Sequence, residues 1–316
     1  IVTHDVDKAK GTEYYKRYLN YLKHFQGKDL TAPIAVSDPK GDRMLRPHQQ
    51  ADPDMYLRVV EKKSDGIVVR GAKFHADFGS HADELIVAPN RVLTKEEGDW
   101  AVAFAVPADA EGLRMVCQAG GRSPRQKLDA PYNRYGWSLP HAIFDNVFVP
   151  WERVFMCGET EFAGDIGRYS AFYHRYNYTA CRPALLDLLI GMAGLAAEYN
   201  GIEKASHVQA KIAELISVRE LVEAAGVAAT FTAKQSGSGT MIPDELYVNA
   251  SRYHAGVNHF HTYETVCDIA GGLAITLPYE EDFLNPETAK YLEKYLKRKA
   301  GVSSDNIHRL FRYIQD

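Results

Sequence analysis

A chain of 316 residues, 46% hydrophobic and 25% charged, has the composition of an ordinary globular protein, and at that length it is expected to divide into two domains. Its 37 Lys and Arg against 41 Asp and Glu leave a net charge of −4 with no strongly basic patch, which disfavours nucleic acid and an anionic membrane surface as partners. The nearest thing to a membrane span is the apolar run at residues 185–197, which is too short.

In chain order, residues 10–27 predict a helix rich in Tyr, Leu and Lys, followed by a polar loop through Ser37-Asp38-Pro39-Lys40-Gly41-Asp42-Arg43. Residues 56–62 and 67–74, joined by Ser64-Asp65-Gly66, predict a β-hairpin. Residues 84–88, 100–106 and 113–118 continue the strand pattern. A loop rich in Gly, Arg and Pro then leads to a strand at 142–149, punctuated by Pro150-Trp151. From Gly164 onward the pattern is helical, with helices expected at 167–200, 203–236, 243–273, 286–299 and 303–315. Pro183 lies inside the first of these and predicts a kink or restart, since it removes a backbone donor.

The opening of that helix carries the most chemistry. His174, Tyr178 and Cys181 project from one helical face, because offsets of four and seven residues are about one and two turns. An imidazole, a phenol and a soft thiolate on one stripe can ligate a metal and move a proton beside it. Spacing alone favours a buried aromatic helix that happens to contain a cysteine.

Several segments, taken together and in order, carry a family resemblance. They are Asp38-Pro39-Lys40-Gly41-Asp42-Arg43, Gln50-Ala51-Asp52-Pro53-Asp54, Asp65-Gly66-Ile67-Val68-Val69-Arg70-Gly71-Ala72-Lys73, Phe144-Asp145-Asn146-Val147-Phe148-Val149-Pro150, Lys204-Ala205-Ser206-His207-Val208 and Asp268-Ile269-Ala270-Gly271-Gly272-Leu273. They resemble the flavoprotein family of 4-hydroxyphenylacetate 3-hydroxylase and 4-hydroxybutyryl-CoA dehydratase, over nearly the whole chain. The resemblance implies an α+β fold of acyl-CoA dehydrogenase type: a middle β-barrel followed by an antiparallel helix bundle. Residues 1–30 would end an N-terminal helical region that is otherwise missing, 31–155 would form the barrel, and 156–316 an incomplete bundle. The chain also opens on Ile1 without an initiator Met, so a piece of a longer protein is expected.

The dehydratase branch is the nearer likeness. In that branch a His and a Cys spaced like His174 and Cys181 ligate a [4Fe-4S] cluster whose other two ligands are cysteines of the N-terminal domain; no pair here matches those two. By the same resemblance Cys117, Cys157 and Cys267 are packing cysteines. The four cysteines are scattered without a CxxC pair, which suggests a reducing cytoplasm. The resemblance further implies FAD, contacted by Val36, Ser37, Asp38, Pro39, Lys40, Gly41, Asp42 and Arg43, flanked by His75, Ala76 and Asp77, and met by Tyr199, Asp268, Gly271 and Gly272. His174 and Tyr178 would handle protons near a small substrate, an acyl-CoA thioester in the dehydratase branch or a phenol in the hydroxylase branch. A homotetramer is also implied.

Two departures blur the reaction. Where the dehydratase carries a catalytic Glu before its Phe-Asp-Asn strand, this chain has Leu139, with His141 as a substitute base or a core histidine. After Cys181 stands Arg182 in place of Lys, which leaves only an electrostatic role. The expected activity is radical dehydration and isomerisation of a hydroxyacyl-CoA. The alternative is a reduced-flavin-dependent aromatic 3-monooxygenase, to which the run Pro150-Trp151-Glu152-Arg153-Val154-Phe155 bears some likeness. His254, His259 and His261 match no zinc spacing and are expected in the interior or at an interface.

Overall fold

The computed structural model describes residues 1–119 and 138–315. The expected Gly- and Arg-rich loop, and with it Gly136 and Trp137, falls outside the described residues. The described chain forms two compact units, one of residues 1–119, 138–171 and 235–241, the other of residues 172–234 and 242–315.

The first unit begins with two helices where one was predicted: α1 (Val2–Lys10) and α2 (Tyr14–Gly27), separated at Gly11, whose φ is +70°. The Asp7 carboxylate makes the break stable by accepting the N–H groups of Tyr14 (2.8 Å) and Tyr15 (2.9 Å), two of the orphan donors at the start of α2. Eight strands follow: β1 (Ile34–Ala35), β2 (Arg58–Lys62), β3 (Gly66–Lys73), β4 (Glu84–Val87), β5 (Val102–Pro107), β6 (Leu113–Ala119), β7 (Ser138–Pro150) and β8 (Val154–Cys157).

They make two four-stranded sheets, ordered β1-β4-β5-β8 and β2-β3-β7-β6. The predicted hairpin is β2–β3. A closed barrel is corrected to two open sheets, because among the described residues no ladder joins the edge strands of one sheet to those of the other. Their inner faces share one core. Val69, Phe144, Val147 and Val149 come from one sheet, Leu85, Val87 and Phe104 from the other, and the Phe104 and Phe144 rings meet edge to face at 5.9 Å. Tyr18 and Tyr21 of α2 pack on Phe155 of β8.

In the second unit the long helix α3 (Thr160–Asn200), which begins in the first, continues with α4 (Ser206–Phe231), α5 (Glu245–Val257), α6 (His259–Ala270), α7 (Leu273–Thr276), α8 (Glu280–Leu284), α9 (Pro286–Tyr295) and α10 (Ser304–Gln315). Leu186, Leu189, Ala193, Leu215, Val218, Ile269, Ile307 and Phe311 form its core. The single helix expected over 243–273 is two, with the short α7 following. Asn258 ends α5 and starts α6, its side-chain amide donating to the His254 carbonyl at 2.9 Å, and Gly271, with φ of +78°, ends α6. α3 runs through Pro183 without a restart.

The expectation about membrane spans is also corrected. α3 is long and apolar enough by length and composition to cross a bilayer. Of its most apolar stretch, 44% is buried within the chain, and core helices meet the same criteria.

Candidate functional site

In the first unit the predicted flavin-contacting segments converge at one end of β3. Ser37 pairs with Phe74, whose N–H donates to the Ser37 carbonyl at 2.7 Å, so the loop is stitched to the strand end. β3 then turns through His75 and Phe78, with φ of +57° and +60°, and returns against β7. There Ala76 N–H donates to Pro140 O at 3.1 Å and Phe78 N–H to Ser138 O at 3.0 Å.

This pairing brings together residues 66 positions apart in the chain. The His141 ring stacks on Phe74 (4.0 Å, 21°) and stands edge-on to His75 (5.9 Å, 77°). His141 Nδ1 is buried and makes no hydrogen bond among the described residues. Leu139 is half-buried on the same strand. Asp77 is exposed and Ala76 fully buried.

The loop from Val36 to Arg43 is held from beneath by Lys73 and Gln50, which lie in segments that carry the family resemblance, and by Tyr56 and Arg91, which do not. Lys73, 4% exposed, donates to Asp38 Oδ1 (2.7 Å), Ala88 O (3.0 Å) and Val36 O (3.3 Å). Arg91 reaches the other Asp38 oxygen at 3.2 Å and lies over the Tyr56 ring at 4.7 Å. Tyr56 donates to the Lys40 carbonyl at 2.8 Å. The buried Gln50 amide accepts from Asp42 N–H (3.0 Å) and donates to Asp42 O (2.9 Å) and Leu45 O (3.2 Å). Gly41 has φ of +54°, and a Cβ there would meet Gln50 Oε1 and Met55 Sδ at 2.6 Å.

A cavity of about 180 Å³ opens over this loop, lined by Asp38, Pro39, Lys40, Arg43, Tyr56 and Arg91 among others. Its cations suit an anionic group. Burial pushes the Lys73 ammonium below the usual lysine range, and Asp38 pulls it back. The signal for Lys73 was available in the sequence: on a strand of inward-facing apolar residues it occupies a buried position, where a lysine needs partners.

In the second unit His174 and Cys181 are exposed on α3, and Tyr178 lies half-buried between them. The His174 and Tyr178 rings are 6.4 Å apart, and Arg252 of α5 sits over the Tyr178 ring at 4.8 Å. The other side of α3 is packed. Thr179 lies against Gly226 of α4, where a Cβ would meet the Thr179 hydroxyl at 2.4 Å. Arg175 donates to Asn249 at 2.9 Å, and the Tyr176 and Thr230 hydroxyls meet at 2.7 Å.

Gly226→Ala is therefore expected to cost about 2 kcal/mol of stability, measured by urea denaturation. An unchanged midpoint would contradict this close approach.

Arg182, 4% exposed, is turned into this packing and bonds His259 Nδ1. Burial, then Arg182 and Arg252, push the His259 imidazole below its usual value, so it stays neutral at neutral pH. His261 instead pairs with Glu214 at 3.0 Å, and His254 Nε2 is buried. No three metal-ligating side chains come together among the described residues. Of the cysteines expected to be packing residues, only Cys157 is buried; Cys117 and Cys267 are exposed.

The remaining predicted flavin residues meet at the end of α6. Asn200, next to the half-buried Tyr199, donates to Ile269 O (3.0 Å) and Ala270 O (3.3 Å), and the Tyr199 carbonyl accepts from Lys299 N–H (3.0 Å). Asp268 pairs with Lys211. A Cβ at Gly271 or Gly272 would meet nothing within 4 Å. These glycines are not closing a helix contact.

The family model described as "4-hydroxyphenylacetate 3-hydroxylase N terminal" matches residues 1–156, and its C-terminal counterpart matches residues 163–316. The chain belongs to the 4-hydroxyphenylacetate 3-hydroxylase family. It is 39% identical over 286 residues to the 4-hydroxybutyryl-CoA dehydratase/vinylacetyl-CoA-Delta-isomerase of Clostridium aminobutyricum, covering 89% of this chain and 58% of that protein. It resembles a solved archaeal 4-hydroxybutyryl-CoA dehydratase from N. maritimus with TM-score 0.96 and 36% identity, over 99% of this chain and 63% of the other. It also resembles the oxygenase component of 4-hydroxyphenylacetate 3-monooxygenase, solved with FAD and 4-hydroxyphenylacetate, with TM-score 0.84 and 31% identity, over 96% of this chain and 64% of the other. A glutaryl-coenzyme A dehydrogenase, at 17% identity and TM-score 0.55, shares the fold. The α+β architecture is thus of acyl-CoA dehydrogenase type. The chain spans about 60% of the length of its family relatives.

Proposed function

We propose that the whole protein is a cytoplasmic flavoenzyme of the dehydratase type, removing water from a hydroxyacyl-CoA with FAD and a [4Fe-4S] cluster. The observation that carries this reading is the stripe on α3 of exposed His174, half-buried Tyr178 and exposed Cys181 in a row. His174 and Cys181 are suitable donors for iron, and neither ring nor thiol makes a hydrogen bond among the described residues. Two donors are half of a cluster's usual set, so the other ligands would come from elsewhere in the whole protein.

The flavin fits the first-unit loop. Lys40, Arg43 and Arg91 offer charge to its phosphates. When bound, the two groups supply one-electron chemistry and a Lewis-acidic iron. The chain's own residues do the rest. Tyr178 Oη and the His174 imidazole hold or deliver a proton beside the thiolate. His141, with an unpaired nitrogen next to His75, takes the base role that Leu139 cannot. Arg182 supports this face from within the packing, and its fixed charge is held by His259 rather than offered to substrate.

In this reading residues 31–155 are the flavin and substrate domain, and 156–316 the bundle. A homotetramer is supported by the large apolar side chains that α4 leaves exposed beside its buried ones. Val208, Leu215 and Val218 are buried, while Leu221, Val227 and Phe231 are exposed.

The absence of a carboxylate at Leu139 favours the second reading, a reduced-flavin-dependent phenol monooxygenase. Anaerobic incubation with a hydroxyacyl-CoA, followed by mass spectrometry, and a parallel aerobic assay with reduced flavin and a phenol separate the two. Loss of one water without any reductase is expected. Oxygen uptake that needs reduced flavin and a phenol, with no dehydration, would overturn the dehydratase reading in favour of the monooxygenase.

A further inference from the structure

Lys73 is an expensive residue for its position. A fully buried ammonium loses its hydration, and a Met or Leu of similar volume would fill the same space without that penalty. Its three protons are all engaged, by a carboxylate and a carbonyl of the loop (Asp38, Val36) and by the Ala88 carbonyl just past β4. The ammonium therefore ties the loop at two points to the sheet beneath it. Arg91 ties Asp38 from the other side, and Tyr56 ties Lys40, so the backbone from Val36 to Lys40 has little freedom left.

We propose that Lys73 is a positioning residue for flavin: it fixes the backbone of Val36-Ser37-Asp38 in the conformation the cofactor binds, without touching the cofactor itself. This rests on the reading of that loop as a flavin contact. Preorganisation of this kind acts on affinity, since a loop ordered in advance does not have to be ordered by the ligand.

The test is FAD titration of the whole apoprotein, following both the dissociation constant and the visible spectrum of the bound flavin, with thermal unfolding alongside. Lys73→Met is expected to weaken FAD binding at least about ten-fold, but it also leaves Asp38 short of a partner and lowers stability. Lys73→Met with Asp38→Asn removes both charges. Measured against Asp38→Asn alone, which carries the same loss of contact with flavin and Arg91, the double variant should be more stable yet bind FAD more weakly, with a shifted bound spectrum. Lys73→Arg keeps the charge with a wider head that cannot seat among the same three acceptors, and should fold yet bind FAD more weakly. If the double variant binds FAD as tightly as Asp38→Asn alone, Lys73 is merely structural and the proposal is overturned. If Lys73→Arg binds FAD as tightly as wild type with the same spectrum, the proposal is likewise overturned. If the wild-type protein itself takes up no FAD, the flavin reading of the loop fails, and this proposal with it.

Discussion

Gly71→Ala is expected to destabilise the first unit by about 4 kcal/mol, combining backbone strain with overpacking. Gly71 has φ of +123°, a region that residues with a Cβ avoid. The added Cβ would also lie 2.6 Å from Leu57 Cα and from Tyr56 O, which are backbone atoms and cannot swing aside as a side chain can. The conformation is required because the β3–β7 ladder slips here: Asp145 and Asn146 together stand opposite Arg70, and Asn146 itself has φ of +56°. Gly71 is two residues from Lys73 and three from Phe74, so a variant that folds should also lose flavin affinity. Urea denaturation of wild type and variant checks the first point. A difference below about 1 kcal/mol would mean that the bulge yields, contrary to the tight approach of Leu57.

Glu97→Leu is expected to cost about 3 kcal/mol at neutral pH, the lower end for breaking a buried ion pair, because its partner Arg46 is partly exposed. Glu97 is fully buried and accepts from Arg46 Nε (2.9 Å) and Thr94 N–H (2.8 Å), with His48 Nδ1 at 3.0 Å. These contacts pin the segment that follows the flavin loop to the turn before β5. Burial by itself would raise the Glu97 pKa. Arg46, the Thr94 amide and His48 outweigh it and hold the carboxyl down at about 2, against an ordinary value of 4.5. A depressed carboxylate stabilises the fold fully above the unfolded value and loses that contribution as pH falls from 4.5 through 2. The gap in stability between wild type and variant should thus be constant from pH 7 to pH 5 and shrink below it. A gap that does not change down to pH 3 would sink this assignment of Glu97.

Much of the candidate site was legible because its signals are local. The Asp38-Pro39-Lys40-Gly41-Asp42-Arg43 loop declares itself by turn residues, and the His174-Tyr178-Cys181 stripe by helical spacing. What was not legible depends on pairing across the chain. Nothing near His141 in sequence says that it will stack on Phe74 and face His75; only the β3–β7 register does that. Arg182 follows Cys181 directly, yet one residue is a rotation of about 100° on a helix, and that is enough to bury it against His259 while Cys181 stays exposed. The helix break at Asn258 was hidden because Asn is neither Gly nor Pro. Its amide bonds back to His254 and ends α5 without either. Barrel closure came from family likeness alone, and the strand edges do not meet within the described residues.

The proposal that His174 and Cys181 hold iron is open to a direct test by composition. Iron, acid-labile sulfide and flavin should be measured per chain on the whole protein purified without oxygen, together with Cys181→Ala and His174→Ala. About four iron and four sulfide per chain with bound flavin are expected in the wild type, and loss of iron and sulfide in both variants while flavin stays. Flavin without iron in the wild type, or a cluster that survives both substitutions, would contradict the proposal and leave His174 and Cys181 as ordinary surface residues of a flavin monooxygenase fold.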